Sequence, residues 1–223
     1  LGVDVDNDST ITSLSVAHIT PVSIANTKTL SGAITLTAGS IKLAETGTLA
    51  SSISMSGGAL EADNSLTVSG TLTHTGNITI DVADTKTLTY SGTAISLGAN
   101  TLTLTGGGSL VSGGLTLNDA SSKLLLNSIT VDSVSTSVDN SLGLDVDADS
   151  TVSSLSVAHI TPVSIANTKT LSGGITLTAG SIKLAETGTL ASTVEMSGGT
   201  LDADNSLTVS GTLTQSGAIT IDV

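Results

Sequence analysis

The stretch Ser65–Val82 reads SLTVSGTLTHTGNITIDV. Leu66, Val68, Leu72, Ile78, Ile80 and Val82 alternate with Ser, Thr and Asp. Successive side chains of a strand point to opposite faces, so this spacing predicts strands with an aliphatic face and a hydroxyl-rich face. Ser69-Gly70 and Gly76-Asn77 break the run into short pieces, as turn residues do. The same rhythm fills Ala33–Gly39 (AITLTAG) and Asn100–Gly108 (NTLTLTGGG). No long segment carries a period of 3.6, and no helix is predicted.

Related phrases open many of these strands: ANTKTLSG at Ala25, ADNSLTVSG at Ala62, ADTKTLTYSG at Ala83 and ANTLTLTGG at Ala99. Their spacings are 37, 21 and 16 residues. Together they predict an all-β, elongated parallel β-helix, a β-solenoid with coils of roughly 16–22 residues and variable corners. Asn and Gly suit such corners because they tolerate left-handed backbone angles. The alternative is a string of antiparallel sandwich domains of about 70 residues each.

A longer repeat encloses the short one. Leu1–Val82 aligns without gaps on Leu142–Val223, and 69 of the 82 positions are identical. Residues 1–141 thus form a first tandem unit and 142–223 a partial second one, with no Pro-rich or charged linker at the join. The reading is one continuous solenoid and a window on a longer array. With about seven coils per unit and about 4.8 Å per coil, each unit advances roughly 34 Å.

Composition narrows the rest. Tyr90 is the only aromatic residue, so Leu, Ile, Val and Ala must fill the interior, which suits a thin layered core. The formal net charge is −13, from 19 acids against six lysines and no arginine, which argues against nucleic-acid binding. Without cysteine there is no disulfide and no thiolate metal site. No run has the length of an apolar membrane helix, so no membrane insertion is expected.

The phrase NTLTLTGGGSLVSGGLTLNDASSKLLL (Asn100–Leu126) resembles the repeats of bacterial β-helical surface proteins, such as autotransporter passengers and large haemagglutinin-like adhesins. The resemblance is one of composition and rhythm. It implies secretion, an elongated β-helix and adhesive or structural work. It carries over no catalytic residue.

Several residues are candidates for chemistry. DVDND places Asp4, Asp6 and Asp8 at alternate positions, and DVDAD does the same with Asp145, Asp147 and Asp149. Carboxylates on one strand face can hold calcium through oxygen ligands. The start is that of an EF-hand loop, but Ser9 and Ser15 stand where its Gly and bidentate Glu belong. The plainer alternative is an acidic edge that opposes lateral aggregation. His18 and His159 are matching residues with no cysteine or evident carboxylate to complete a zinc site, while His74 becomes Gln215. Thr-x-Thr pairs (Thr35/Thr37, Thr71/Thr73, Thr87/Thr89, Thr101/Thr103, Thr176/Thr178) are of the kind that forms ice-binding ranks when kept in register. Asn7 and Asn77 head glycosylation sequons whose Asn is Ala148 and Ala218 in the second copy.

No nucleophile stands beside a base, and the arginines and aromatic platforms of β-helical polysaccharide enzymes are missing, so no enzyme is expected. The expectation is an extracellular structural protein, a β-solenoid fibre or filament of a microbial surface or matrix whose partners are itself, end to end or laterally, and other surface or matrix components. The alternative is the stalk of a large adhesin. An ice-binding solenoid comes third.

Overall fold

Alternation becomes parallel pairing. The computed structural model describes residues 2–184, 188–203 and 208–222. Among them there is no helix, and the strands form two sheets. Sheet A stacks twelve strands, from Val3–Val5 to Thr220–Asp222. Sheet B contains sixteen. The chain passes from one sheet to the other and back, so each strand pairs with its counterpart one coil later, and every ladder between named strands is parallel. Only an isolated bridge, Ala83 with Gly107, is antiparallel. This is a β-solenoid of about eleven turns, and it excludes the antiparallel sandwich.

Coils measure 19 to 24 residues, as in Val3 opposite Val22 and Ile78 opposite Leu102. They fall at the upper end of the 16–22 expected, and only the Ile78–Leu102 spacing of 24 exceeds it. ANTLTLTGG misled the spacing: it opens the sheet A strand Thr101–Thr105, whereas the other three phrases lead into the sheet B strands Thr29–Leu36, Leu66–Val68 and Thr87–Tyr90. Residues at opposite corners of the coil were compared. The 37-residue interval spans two coils, because the corner at Ala44 (AETGTL) departs from the phrase.

Inward positions stack like on like. One column of sheet A runs Thr20, Ile41, Leu60, Ile80, Leu104, Leu126, Val146, Ile165. From Ile41 onward every member is buried. Interdigitating aliphatic layers this thin need no aromatic bulk, and Tyr90 alone supplies any.

Sheet B strands bend midway. Thr29–Leu36, Thr48–Met55 and Thr170–Leu177 run through the bend, while Leu66–Val68 and Leu72–His74 are split by it. Adjacent coils approach closely here. Gly32 has φ 131°, and a Cβ on it would lie 2.1 Å from the Ile11 carbonyl oxygen. Its partner in the next coil is Ser51, which is buried and donates its hydroxyl to the Leu30 carbonyl.

Several left-handed corners hold threonine in place of the Asn that the sequence suggested. Thr27, Thr85 and Thr168 have φ of 66°, 63° and 66°, each following the Asn or Asp of its ANTK or ADTK corner. The turn closes when the Lys28 N–H donates to the Ala25 carbonyl at 2.9 Å.

Candidate functional site

The alternate aspartates go to separate tasks. Asp4 and Asp145 lie on sheet A strands opposite Ser23 and Ser164. Asp6 and Asp147 are exposed. Asp8 accepts the Thr29 N–H at 2.9 Å, and Asp149 accepts the Thr170 N–H at 2.8 Å, each across one coil. Asp145 also meets the Lys123 ammonium at 2.5 Å. Among the described residues no group of three or more Asp, Glu or His converges as a metal site. Asp8, Asp145 and Asp149 hold coil to coil instead. The same device recurs at Asn77, whose side-chain oxygen accepts the Thr101 N–H at 2.8 Å, and at Asp139, which accepts the Ile160 N–H at 3.0 Å.

A second acidic group lies on the outer face of sheet A. Lys42, Glu61 and Asp81 stack in successive coils, and the Lys42 ammonium lies 2.8 Å from Asp63. That hydrogen bond and charge hold Lys42 above its ordinary value. Partial burial, then the charges of Glu61 and Asp63, push the Asp81 carboxyl above the usual carboxylate range. Lys183, Asp202 and Asp222 repeat this column in the second unit.

The histidines find partners that the sequence did not reveal. His159 Nδ1 lies 3.6 Å from Asp139, so the expectation of no nearby carboxylate is corrected: Asp139 is twenty residues away in sequence but one coil away in space. His74 is bound on both sides by backbone carbonyls, Gly76 at 3.2 Å and Ser96 at 3.1 Å.

Thr29, Thr48, Thr67 and Thr89 form one outward rank on sheet B, which ends at Val111. The paired threonines of the sequence do not share one face: Thr87 and Thr89 are on sheet B, Thr101 and Thr103 on sheet A.

The join between the tandem units is built around Asn140, which is buried. Its amide nitrogen donates to the carbonyls of Asp119 and Ser122, both at 2.8 Å. Its oxygen accepts from the Leu142 N–H at 2.9 Å and from the Gly143 N–H. All four hydrogen-bonding positions of the side chain are thus used. Sheet A crosses the join directly, with Lys123–Asn127 paired to Gly143–Ala148.

Several of the thirteen differences between the two copies lie on the outer face of sheet B. Ala33 and Ser52 are direct partners, and in the second copy they become Gly174 and Thr193, again partners. Ser54 becomes Glu195, and Thr75 becomes Ser216. A trough of about 340 Å³ lies there, lined by Thr176, Glu195, Met196, Ser197, Thr214 and Ser216. A neighbouring hollow of about 190 Å³ shares Thr176 and Glu195 with it.

The chain is thus a two-sheet parallel β-solenoid of tandem units, with hydrogen bonds from coil to coil at its corners. No family model matches it, and no curated protein or solved structure does either. Among the described residues no helix is long and apolar enough to cross a membrane.

Proposed function

We propose that the protein is an extracellular structural component, a β-solenoid fibre or filament of a microbial surface or matrix. The observation that carries this reading is the join between units. Asn140 and the strand pair Lys123–Asn127 with Gly143–Ala148 bond one unit to the next without a break, through a ladder whose register shifts once between Leu126 and Asn127. A unit that stacks on its own copy extends a rod by simple repetition. Outward-facing Ile19, Leu142 and Ile160 offer apolar points for contact between rods.

The test is electron microscopy on chains of two, three and four units, with surface proteolysis of the intact cells that make the protein. Thin rods lengthening by about 34 Å per unit, cleaved from outside the cell, support the reading. Length that does not scale with unit number, or a chain protected inside the cell, overturns it.

The second reading is the stalk of a repetitive adhesin. Its support is the pair of outward substitutions on one sheet B strand, Ser52 to Thr193 and Ser54 to Glu195. A stalk that also displays a surface varies where it meets its surroundings. Binding of surface glycans or host proteins by the second unit and not the first favours this reading.

A further inference from the structure

Sheet B has a seam. Val68 pairs with Tyr90, but past the bend Leu72–His74 pairs only backward, with Ile53–Met55, and Ile95–Ser96 pairs only forward, with Leu115–Thr116. The two crossings on either side of the seam differ by one residue. Three residues, Ser69–Thr71, separate Val68 from Leu72, whereas four, Ser91–Ala94, separate Tyr90 from Ile95.

Side chains bridge the seam in place of backbone. The Leu72 N–H donates to the Tyr90 hydroxyl at 3.1 Å, and the ring of this sole aromatic is buried there. His74 lies between two acceptors, with Nδ1 at 3.2 Å from the Gly76 carbonyl and Nε2 at 3.1 Å from the Ser96 carbonyl. A neutral imidazole has one N–H and serves only one of these oxygens. An imidazolium has two and serves both.

We infer that His74 is a pH-dependent clasp, which closes the seam between Leu72–His74 and Ile95–Ser96 when its ring is protonated and releases one side when it is neutral. Nothing else charged acts there. The strands Thr48–Met55, Leu72–His74 and Ile95–Ser96 carry no Asp, Glu, Lys or Arg, and Tyr90 is the one other titratable group facing the seam. Among the described residues His74 makes no ion pair. The second copy supplies the pH-independent form: Gln215 stands at this position, and its amide donates to the Gly217 carbonyl, the counterpart of Gly76. The shared bond is the one to the turn. In a rod of such units the clasp is a local joint, firm in acid and looser above neutrality.

Hydrogen exchange on the whole chain tests this at pH 5.5 and pH 8, on either side of the range where imidazoles titrate. After correction for intrinsic rates, the amides of residues 72–76 and 95–97 should be about tenfold better protected at pH 5.5, the ratio expected for one charge-assisted hydrogen bond. His74→Gln, the residue already present in the second copy, should remove that difference and leave protection at its pH 8 level. Equal protection at both pH values in the native chain overturns the proposal. So does a pH dependence that survives in His74→Gln, since it belongs to another group.

Discussion

Thr20 and Ile165 occupy one inward column of sheet A, joined through seven strand pairings, although the sequence copy of Thr20 is Thr161. Ile165 is the copy of Ile24, so the second unit is set four residues along its strands relative to the first. The number is even, and that matters. An odd offset would turn every aliphatic side chain from the core to solvent, whereas an even one keeps inward residues inward. Seven coils therefore advance the register by more than the sequence period, and either the columns or the corners wind about the axis from unit to unit.

Cysteine pairs read this register at the join, in a chain with no cysteine of its own. Leu125 is opposite Asp145. Leu125→Cys with Asp145→Cys should form a disulfide under mild oxidation, because directly opposed residues of neighbouring strands lie within its reach. Leu125→Cys with Asp147→Cys should not, being two residues out of register. Mass spectrometry of the oxidised, digested chain decides between them. Equal cross-linking of both pairs would contradict the pairing.

Asn140→Ala should cost about 2–4 kcal/mol, because it deletes a buried side chain whose four hydrogen bonds hold backbone groups across the join. The loss should be local. Hydrogen exchange should rise at residues 119–122 and 140–143 before the coils around Leu49 and Leu60 are affected. A variant with native protection at the join would remove Asn140 from this role.

Two buried serines make a contrasting pair. The Ser40 hydroxyl is buried with no hydrogen-bond partner, whereas the Ser51 hydroxyl donates to the Leu30 carbonyl at 3.3 Å. Ser40→Ala should stabilise the chain by about 1 kcal/mol, since it removes an unpaired polar group from the core. Ser51→Ala should destabilise it by a similar amount. Urea midpoints of the two variants should move in opposite directions.

How far the sequence was legible follows from these cases. The alternation in Ser65–Val82 depends only on which way side chains point, so strands, aliphatic core and solenoid could be read directly. Parallel stacking also makes the unit repeat visible. Partners about twenty residues apart are harder to see. Asp8 with Thr29 and Asp139 with His159 meet only once the coil length is known, and an error of a few residues hides them. Asn140 carries no repeat signal, because its role belongs to the join, of which the sequence holds one example. His74 marks a seam between Leu72–His74 and Ile95–Ser96, which shows only once the ladders are aligned. The aspartate triplets show the opposite case. Their spacing is regular, but the chain turns a corner between Asp4 and Asp8, and regular spacing around a corner does not converge.

Asp81 gives a pH dependence of stability. Its carboxyl is pushed up, first by partial burial and then by Glu61 and Asp63. A carboxyl raised in the folded state favours the protonated form there, so it opposes folding at neutral pH, and that opposition fades as pH falls through the raised value. Asp81→Asn should therefore stabilise the chain at pH 7, by less than about 1 kcal/mol for so exposed a site. The advantage should shrink as pH approaches the ordinary aspartate range. Urea midpoints of both proteins across that range measure it, and a gap independent of pH would assign the effect to something other than this charge.

Thr27 and Thr168 hold left-handed backbone with a β-branched side chain, both at φ 66°. For an L-residue that region costs about 1–2 kcal/mol, and β-branching puts Thr among the poorer occupants. Glycine removes this steric cost but loses about 0.5–1 kcal/mol through greater freedom in the unfolded chain. Thr27→Gly and Thr168→Gly should therefore each stabilise the solenoid by about 0.5–1 kcal/mol. The gains should add in the double variant, since the corners are seven coils apart and share no partners. Asn26→Gly, at the preceding corner position, relieves no such strain and should bring no gain. Chemical denaturation of the four proteins checks the ranking. A loss of stability in Thr27→Gly would mean that the threonine side chain contributes more at the corner than its backbone conformation costs.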